Sequence, residues 1–179
     1  MLIAGFDPGV NTVGFSILEV GTTINKPIKV VVAKNFECSN RKKDWNVKVL
    51  ECMSNLDGYL FDRCHTLDIK YGYSEEPVIM GGARGISARG RNDVSHLAFS
   101  MGIFAYSITM QGGKFSPISI QGWKGTLSDE IVWNRVQRVF TQPHDQKGNK
   151  LESHNLDAIG IAICGHFKTD MRNNLWGST

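Results

Sequence analysis

Residues 2–18 read Leu2-Ile3-Ala4-Gly5-Phe6-Asp7-Pro8-Gly9-Val10-Asn11-Thr12-Val13-Gly14-Phe15-Ser16-Ile17-Leu18. The apolar run Leu2 to Phe6 has the character of a buried strand. Pro8-Gly9 and Asn11 form a turn signal, and Val13 to Leu18 reads as the returning strand. Asp7 therefore stands where a central strand leaves the core. An ionised carboxylate there is costly without a partner, and a cation is the natural one.

Further along the chain, residues 28–36 (IKVVVAKNF) are rich in β-branched residues and predict a third strand. Asp44 is placed to cap a helix whose apolar positions are Trp45, Val47, Val49, Leu50, Met53, Leu56 and Leu60. Residues 67–75 (LDIKYGYSE) predict a fourth strand, weakened by Gly72. Residues 80–91 (MGGARGISARGR) read as a Gly- and Arg-rich loop. A second long helix begins at Asn92 or Asp93, with Val94, Leu97, Ala98, Met101, Phe104, Ala105 and Ile108 inward, and Gly112-Gly113 stop it. Residues 115–121 (FSPISIQ) predict a fifth strand. Ser128 opens a helix carrying Ile131, Val132, Val136, Val139 and Phe140, and Pro143 to Lys150 form a polar loop. A last helix begins near Ser153 and carries Leu156, Ala158, Ile159, Ile161, Ala162 and Ile163. The order predicts a mixed five-stranded sheet flanked by helices, an α/β arrangement.

The 179 residues suit one domain, 1–179, with a full core. No apolar stretch is long enough to span a bilayer, so no membrane partner is expected. The start lacks a basic n-region and Asp7 interrupts its apolar run, which reads as no signal peptide. A cytoplasmic location follows as the expectation. Cys38, Cys52, Cys64 and Cys164 form no CxxC pair and read as reduced, partly buried thiols. The net charge of +3 is only mildly basic, so charge alone does not point to nucleic acid. Its distribution is more informative. Arg41-Lys42-Lys43 form one cluster, Arg84, Arg89 and Arg91 another, and Lys168 and Arg172 lie near the end.

Three places supply acidic or imidazole side chains that a fold could bring together. Asp7 ends the first strand, Glu75 and Glu76 follow the fourth, and His154 and Asp157 open the last helix. The i, i+3 spacing of His154 and Asp157 puts both on one helical face, whereas strand alternation lets only one of Glu75 and Glu76 face a common site. Taken singly, each has a plain structural reading as turn chemistry, strand-end charge or helix start. Taken together, hard oxygen ligands with one imidazole suit Mg²⁺ or Mn²⁺. Two such ions about 4 Å apart activate a water and stabilise the leaving oxygen in phosphodiester cleavage.

The three segments, in this order, resemble the RuvC-type Holliday junction resolvases of the ribonuclease H-like superfamily. GFDPGVNTVGFSIL is similar to the first motif of that family, SEEPVIM to the second, and SHNLDAIGIAIC to the C-terminal motif. Length and element order match too, so the resemblance covers essentially the whole chain. It implies a metal-dependent endonuclease that cuts four-way or other branched DNA, uses Mg²⁺ or Mn²⁺, and acts as a homodimer. By the same resemblance, Asp7 would bridge the metals, with Glu75 (Glu76 as its rival), Asp157 and His154 completing the ligands. His154 would bind metal or relay a proton to the attacking water. Lys124, in Gln121-Gly122-Trp123-Lys124-Gly125, would stand near the scissile phosphate.

On the DNA side, Arg84, Arg89 and Arg91 would contact phosphates. Trp123 would either stack on a base or join the core. The sequence departs from the family pattern where well-studied bacterial members carry an aromatic residue three positions after the catalytic Glu. Val78 stands there, or Ile79 if Glu76 is the ligand. That favours a broader taste for branched DNA, and a phage-type source fits the departure. The long helix over 92–111 would be the dimer helix. Two other classes fit the opening segment: an ATP-binding protein of the actin or sugar-kinase type, through Asp7-Pro8-Gly9, and a non-catalytic binder of branched DNA.

Overall fold

The computed structural model describes residues 1–23, 28–39, 44–64, 66–77, 93–139 and 152–169. In chain order the elements are β1 (Leu2–Asp7), β2 (Thr12–Glu19), β3 (Lys29–Glu37), α1 (Trp45–Tyr59), a π-helical turn (Leu60–Cys64), and β4 (Ile69–Glu75). Then come α2 (Asp93–Met110), β5 (Lys114–Ile118), the short α3 (Ile120–Trp123), α4 (Asp129–Val139) and α5 (Ser153–Phe167). The strands form one sheet in the order β3-β2-β1-β4-β5. β2 pairs antiparallel with both β1 and β3, while β4 runs parallel to β1 and β5 parallel to β4. The mixed five-stranded sheet is the one the sequence predicts. Pro117 sits on β5, an edge strand, where a missing N–H is tolerated.

Alternation divides β1 between two cores. Ala4 and Phe6 join Val13, Phe15 and Ile17 of β2 in a cluster with Val49, Cys52, Met53 and Leu56 of α1 and Phe104 and Ile108 of α2. Phe104 stacks on Phe6 at 4.8 Å between ring centroids and meets Phe15 edge-on at 6.2 Å. Burying one such ring contributes about 1.5–3 kcal/mol. On the opposite face Ile3, Leu18 and Tyr73 pack with Trp123, with Val132 and Val136 of α4, and with Leu156, Ile159, Ala162 and Ile163 of α5. That face also carries Asp7, two residues beyond Gly5.

Helix α5 lies directly on backbone. A Cβ at Gly5 would come within 1.9 Å of the Ala158 carbonyl oxygen, and one at Gly14 within 2.1 Å of the His154 carbonyl oxygen. Glycine at these two positions lets the helix descend until its small residues, Ala158 and Ala162, meet the sheet. Gly72, which weakens the sequence signal for β4, has a similar use on the other face, because a Cβ there would meet Ile108 Cγ1 at 2.8 Å.

The structure differs from the sequence expectations in several places. Asp44 holds the N-cap position of α1 but its side chain makes no capping bond. The fifth strand ends at Ile118, because the Ser119 hydroxyl accepts the Gly122 N–H and starts a helical turn over Ile120–Trp123. Helix α2 buries Phe104 and Ile108 as expected, but Val94, Leu97, Met101 and Ala105 are only half-buried and Ala98 is exposed. Its buried positions are His96, Ser100, Phe104, Ser107 and Ile108, whereas Phe99, Tyr106 and Met110 are exposed. Ser100 and Ser107 tolerate burial by donating to backbone carbonyls one turn earlier, at His96 and Ile103. Trp45, Val47 and Leu50 of α1 are likewise outward. Gly112 does end α2, in the left-handed region at φ 80. Cys38, Cys52 and Cys164 are buried. Arg41 to Lys43, Val78, Ile79, Arg84, Arg89, Arg91, Arg172 and the loop over 143–150 lie outside the described residues. Among the described residues no helix is long and apolar enough to cross a membrane.

Gly14→Ala and Gly5→Ala should each lower unfolding free energy by about 2–4 kcal/mol, because the atom met is backbone and cannot rotate away. Gly58→Ala, with nothing within 4 Å of the added carbon, should raise it by about 0.5–1 kcal/mol. Urea denaturation of the three variants checks both signs.

Candidate active site

Asp7 and Glu75 are the last residues of adjacent parallel strands. The register Gly5–Tyr73 and Phe6–Ser74 continues to bring Asp7 level with Glu75, both on the α5 face. Glu76, one residue on, is exposed and uses its backbone N–H to bond the Ile118 carbonyl at 2.8 Å. Alternation thus gives the inward position to Glu75. The first turn of α5 comes down over the same strand ends because Gly14, the partner of Asp7 across β1 and β2, admits the His154 backbone. His154 Nδ1 lies 2.6 Å from Asp7 Oδ2. Asp157 follows at i+3.

Two tryptophans close on the other carboxylates. Trp123 donates its indole N–H to Glu75 Oε2 at 2.8 Å, and Trp133 donates to Asp157 Oδ1 at 3.1 Å. The Lys124 ammonium bonds Asp129 Oδ1 at 3.1 Å and lies 4.9 Å from the Trp123 ring centroid. The stacking role considered for Trp123 is corrected here: it is fully buried, and a base can stack only on an exposed ring. Trp133 and Asp129 were not candidates from the sequence. Trp133 sits among the apolar positions of α4 and reads there as core, and nothing in one sequence marks its N–H as facing Asp157.

The charges are crowded. Burial, followed by the charge of Asp7, pushes the Asp157 carboxyl up to about 7, and Lys124 and the Trp133 bond only partly offset this. Glu75 is raised chiefly by burial, with Trp123 opposing and Asp7 adding. His154 is raised because the bond to Asp7 favours the imidazolium, against the effect of burial. Lys124 is also raised: the surrounding carboxylates Asp157, Asp129 and Glu75 outweigh desolvation.

The sequence matches no family model and no curated protein. Among solved structures, Thermus thermophilus RuvC superposes with a TM-score of 0.67 at 16% identity, covering 93% of this chain and 94% of that one. T. thermophilus RuvC in complex with its Holliday junction substrate gives a TM-score of 0.66 at 15% identity over the same shares. A looser likeness, with a TM-score of 0.48 at 15% identity, is to the Fowlpox virus resolvase in complex with Holliday junction DNA. The fold is that of RuvC. It is a ribonuclease H-like fold, as the motif resemblance implies.

On this RuvC fold the donor set suits hard divalent cations. Asp7, Glu75 and Asp157 lie close enough for the charge of Asp7 to add to the effect of burial on the other two, and His154 bonds Asp7. Among the described residues no three His, Cys, Asp or Glu side chains already form a group able to hold a metal ion. The Asp7–His154 bond and the two indole bonds each take up one carboxylate oxygen. A carboxylate has about four lone-pair sites, so coordination capacity remains on every one. Asp7, Glu75 and Asp157, with His154 beside them, are the residues that would hold Mg²⁺ or Mn²⁺.

The raised Asp157 also sets a pH dependence. Between the ordinary carboxylate range and about 7, the folded chain binds more protons than the unfolded one, so stability falls as pH rises. His154, raised in the fold, contributes stability at low pH that is lost as pH rises through its folded value. Thermal denaturation in EDTA should therefore give a falling Tm from pH 4 to pH 8. Asp157→Asn should flatten much of that slope and stabilise the metal-free protein at pH 8 by about 1–3 kcal/mol.

Proposed function

We propose that this chain is a metal-dependent endonuclease that cuts Holliday junctions or other branched DNA. The observation that carries the reading is the meeting of Asp7, Glu75 and Asp157 at the carboxyl ends of β1 and β4, with Lys124 among them. Ligand sites of open α/β sheets gather at such strand ends. The RuvC fold adds support, since one matched structure holds a Holliday junction substrate.

A pair of bound divalent cations would activate the attacking water and stabilise the leaving oxygen. Asp7, Glu75 and Asp157 would provide the hard oxygen donors. His154 orients Asp7 through Nδ1 and, with its side chain 42% exposed, is able to pass a proton between the site and solvent. Lys124, whose side chain is 16% exposed, presents its ammonium to charge developing on the phosphate. On sequence grounds Arg84, Arg89 and Arg91 bind phosphates of the flanking arms.

Two symmetric cuts need two sites, and α2 offers a surface for pairing. Phe99, Tyr106 and Met110 form an exposed apolar stripe along its outer face, and a Cβ at Gly102 would meet nothing within 4 Å. His96, Ser100 and Ser107 are turned inward on the same helix beside Phe104, while Phe99 and Tyr106 are turned out. That arrangement suits a helix with a protein partner on its far side, and we assign it to a second copy of the chain.

Purified protein should nick a synthetic four-way junction only with Mg²⁺ or Mn²⁺. Asp7→Asn and Glu75→Gln should each lower the cleavage rate at least about 100-fold, with junction binding retained. Undiminished cutting by Asp7→Asn sinks the assignment, while binding without cutting in either metal leaves a non-catalytic binder. Tyr106→Glu with Met110→Glu should convert a dimer to a monomer in sedimentation velocity.

A further inference from the structure

We propose that Trp123 and Trp133 are positioning residues for the metal-binding carboxylates. Each indole fixes one oxygen of its carboxylate, so that the second oxygen is presented to the metal. The proposal rests on the nuclease reading and extends it to two residues outside the ligand set. The observation is that the indole N–H groups of two separate elements end on two of the three clustered carboxylates. The Trp123 N–H, from α3, reaches Glu75 Oε2 at 2.8 Å, and the Trp133 N–H, from α4, reaches Asp157 Oδ1 at 3.1 Å.

Chemistry makes indole suited to this work. Its N–H donates and cannot accept, so the bonded oxygen must turn a lone pair toward the ring, which settles the carboxyl rotation. The donor is neutral, so it orients the carboxylate without competing for it as a lysine ammonium would. Burial makes the arrangement stiff. Trp123 is fully enclosed, its own carbonyl accepts the Cys164 thiol of α5, and it packs in the same cluster as Val132, Leu156 and Ile159. Trp133 packs against that cluster from α4. A buried indole must find an acceptor, but a backbone carbonyl would have served. Both instead bond the charged groups at the strand end and helix start that converge on Asp7. Carboxylates that ligate a metal are themselves commonly hydrogen-bonded, and loss of that partner typically costs 10–100-fold in metal affinity or activity.

Trp133→Phe and Trp123→Phe keep most of the ring packing and delete the donor. Mn²⁺ affinity measured by isothermal titration on the full chain without DNA should fall about 10–100-fold in each. Junction cleavage should show a raised Mn²⁺ requirement, with much of the rate restored at saturating metal. In ¹H–¹⁵N spectra of the unaltered protein, Mg²⁺ should shift the indole signals of Trp123 and Trp133, while that of Trp45, stacked on His96 across the sheet, stays in place. If Trp123→Phe does not fold, Trp133→Phe and the spectra of the unaltered protein decide. Unaltered protein that binds Mn²⁺ and cuts, together with folded variants of unchanged Mn²⁺ affinity or indole signals that ignore Mg²⁺, overturns the positioning role alone. Unaltered protein that binds no Mn²⁺ overturns both it and the nuclease reading.

Discussion

The close descent of α5 onto β1 and β2 governs the rest of the structure. The Ala158 carbonyl occupies the space where a side chain at position 5 would project, and the His154 carbonyl does the same at position 14. No other residue type fits at these two points without moving backbone. The contact sets the height of the helix above the sheet, and that height brings His154 to 2.6 Å from Asp7 and holds Asp157 over the same strand ends. The helix is buried along nearly its whole length, from Leu156 through Cys164. Packing free energy, which is large and insensitive to pH, thus holds together charges that would otherwise separate.

Holding them has a cost. Asp157 and Glu75 are both less ready to ionise in the fold than in water, through burial and through the charge of Asp7. The indole bonds and Lys124 offset only part of this. Such opposition between local electrostatics and global packing is a pattern by which candidate functional sites are recognised. The neighbouring charged groups follow the same logic. Lys124 is poised among three carboxylates, and Glu76, one residue from Glu75, escapes the cluster by pointing to solvent.

The opposite face of the sheet is conventional in its core and unusual in its outer helix. Phe6, Phe15 and Phe104 form an aromatic centre against β1 and β2. Yet α2 buries two serines and a histidine while exposing Phe99, Tyr106 and Met110. Seen in the sequence, α2 is apolar on almost every side, so periodicity alone cannot choose its inward face. Local backbone bonds make Ser100 and Ser107 acceptable inside, and Phe99 and Tyr106 stand at the surface.

Much of the proposed site was legible in the chain because its candidate residues sit at punctuated places. Asp7 precedes Pro-Gly at a strand end, Glu75 precedes Pro77 by two, and His154 and Asp157 share a helix start. The order of elements along the chain around them follows from the alternation of apolar runs and helix periods. Such local signals depend only on neighbours in sequence, so they survive without a fold. What only the tertiary structure decided is which groups meet. It chose Glu75 over Glu76, enclosed Trp123 in the core, brought Trp133 to Asp157 and Asp129 to Lys124, and turned α2 outward. Most of those outcomes depend on contacts between segments distant in sequence, as between Glu75 and Trp123, 48 residues apart, and no local pattern encodes which segments will meet.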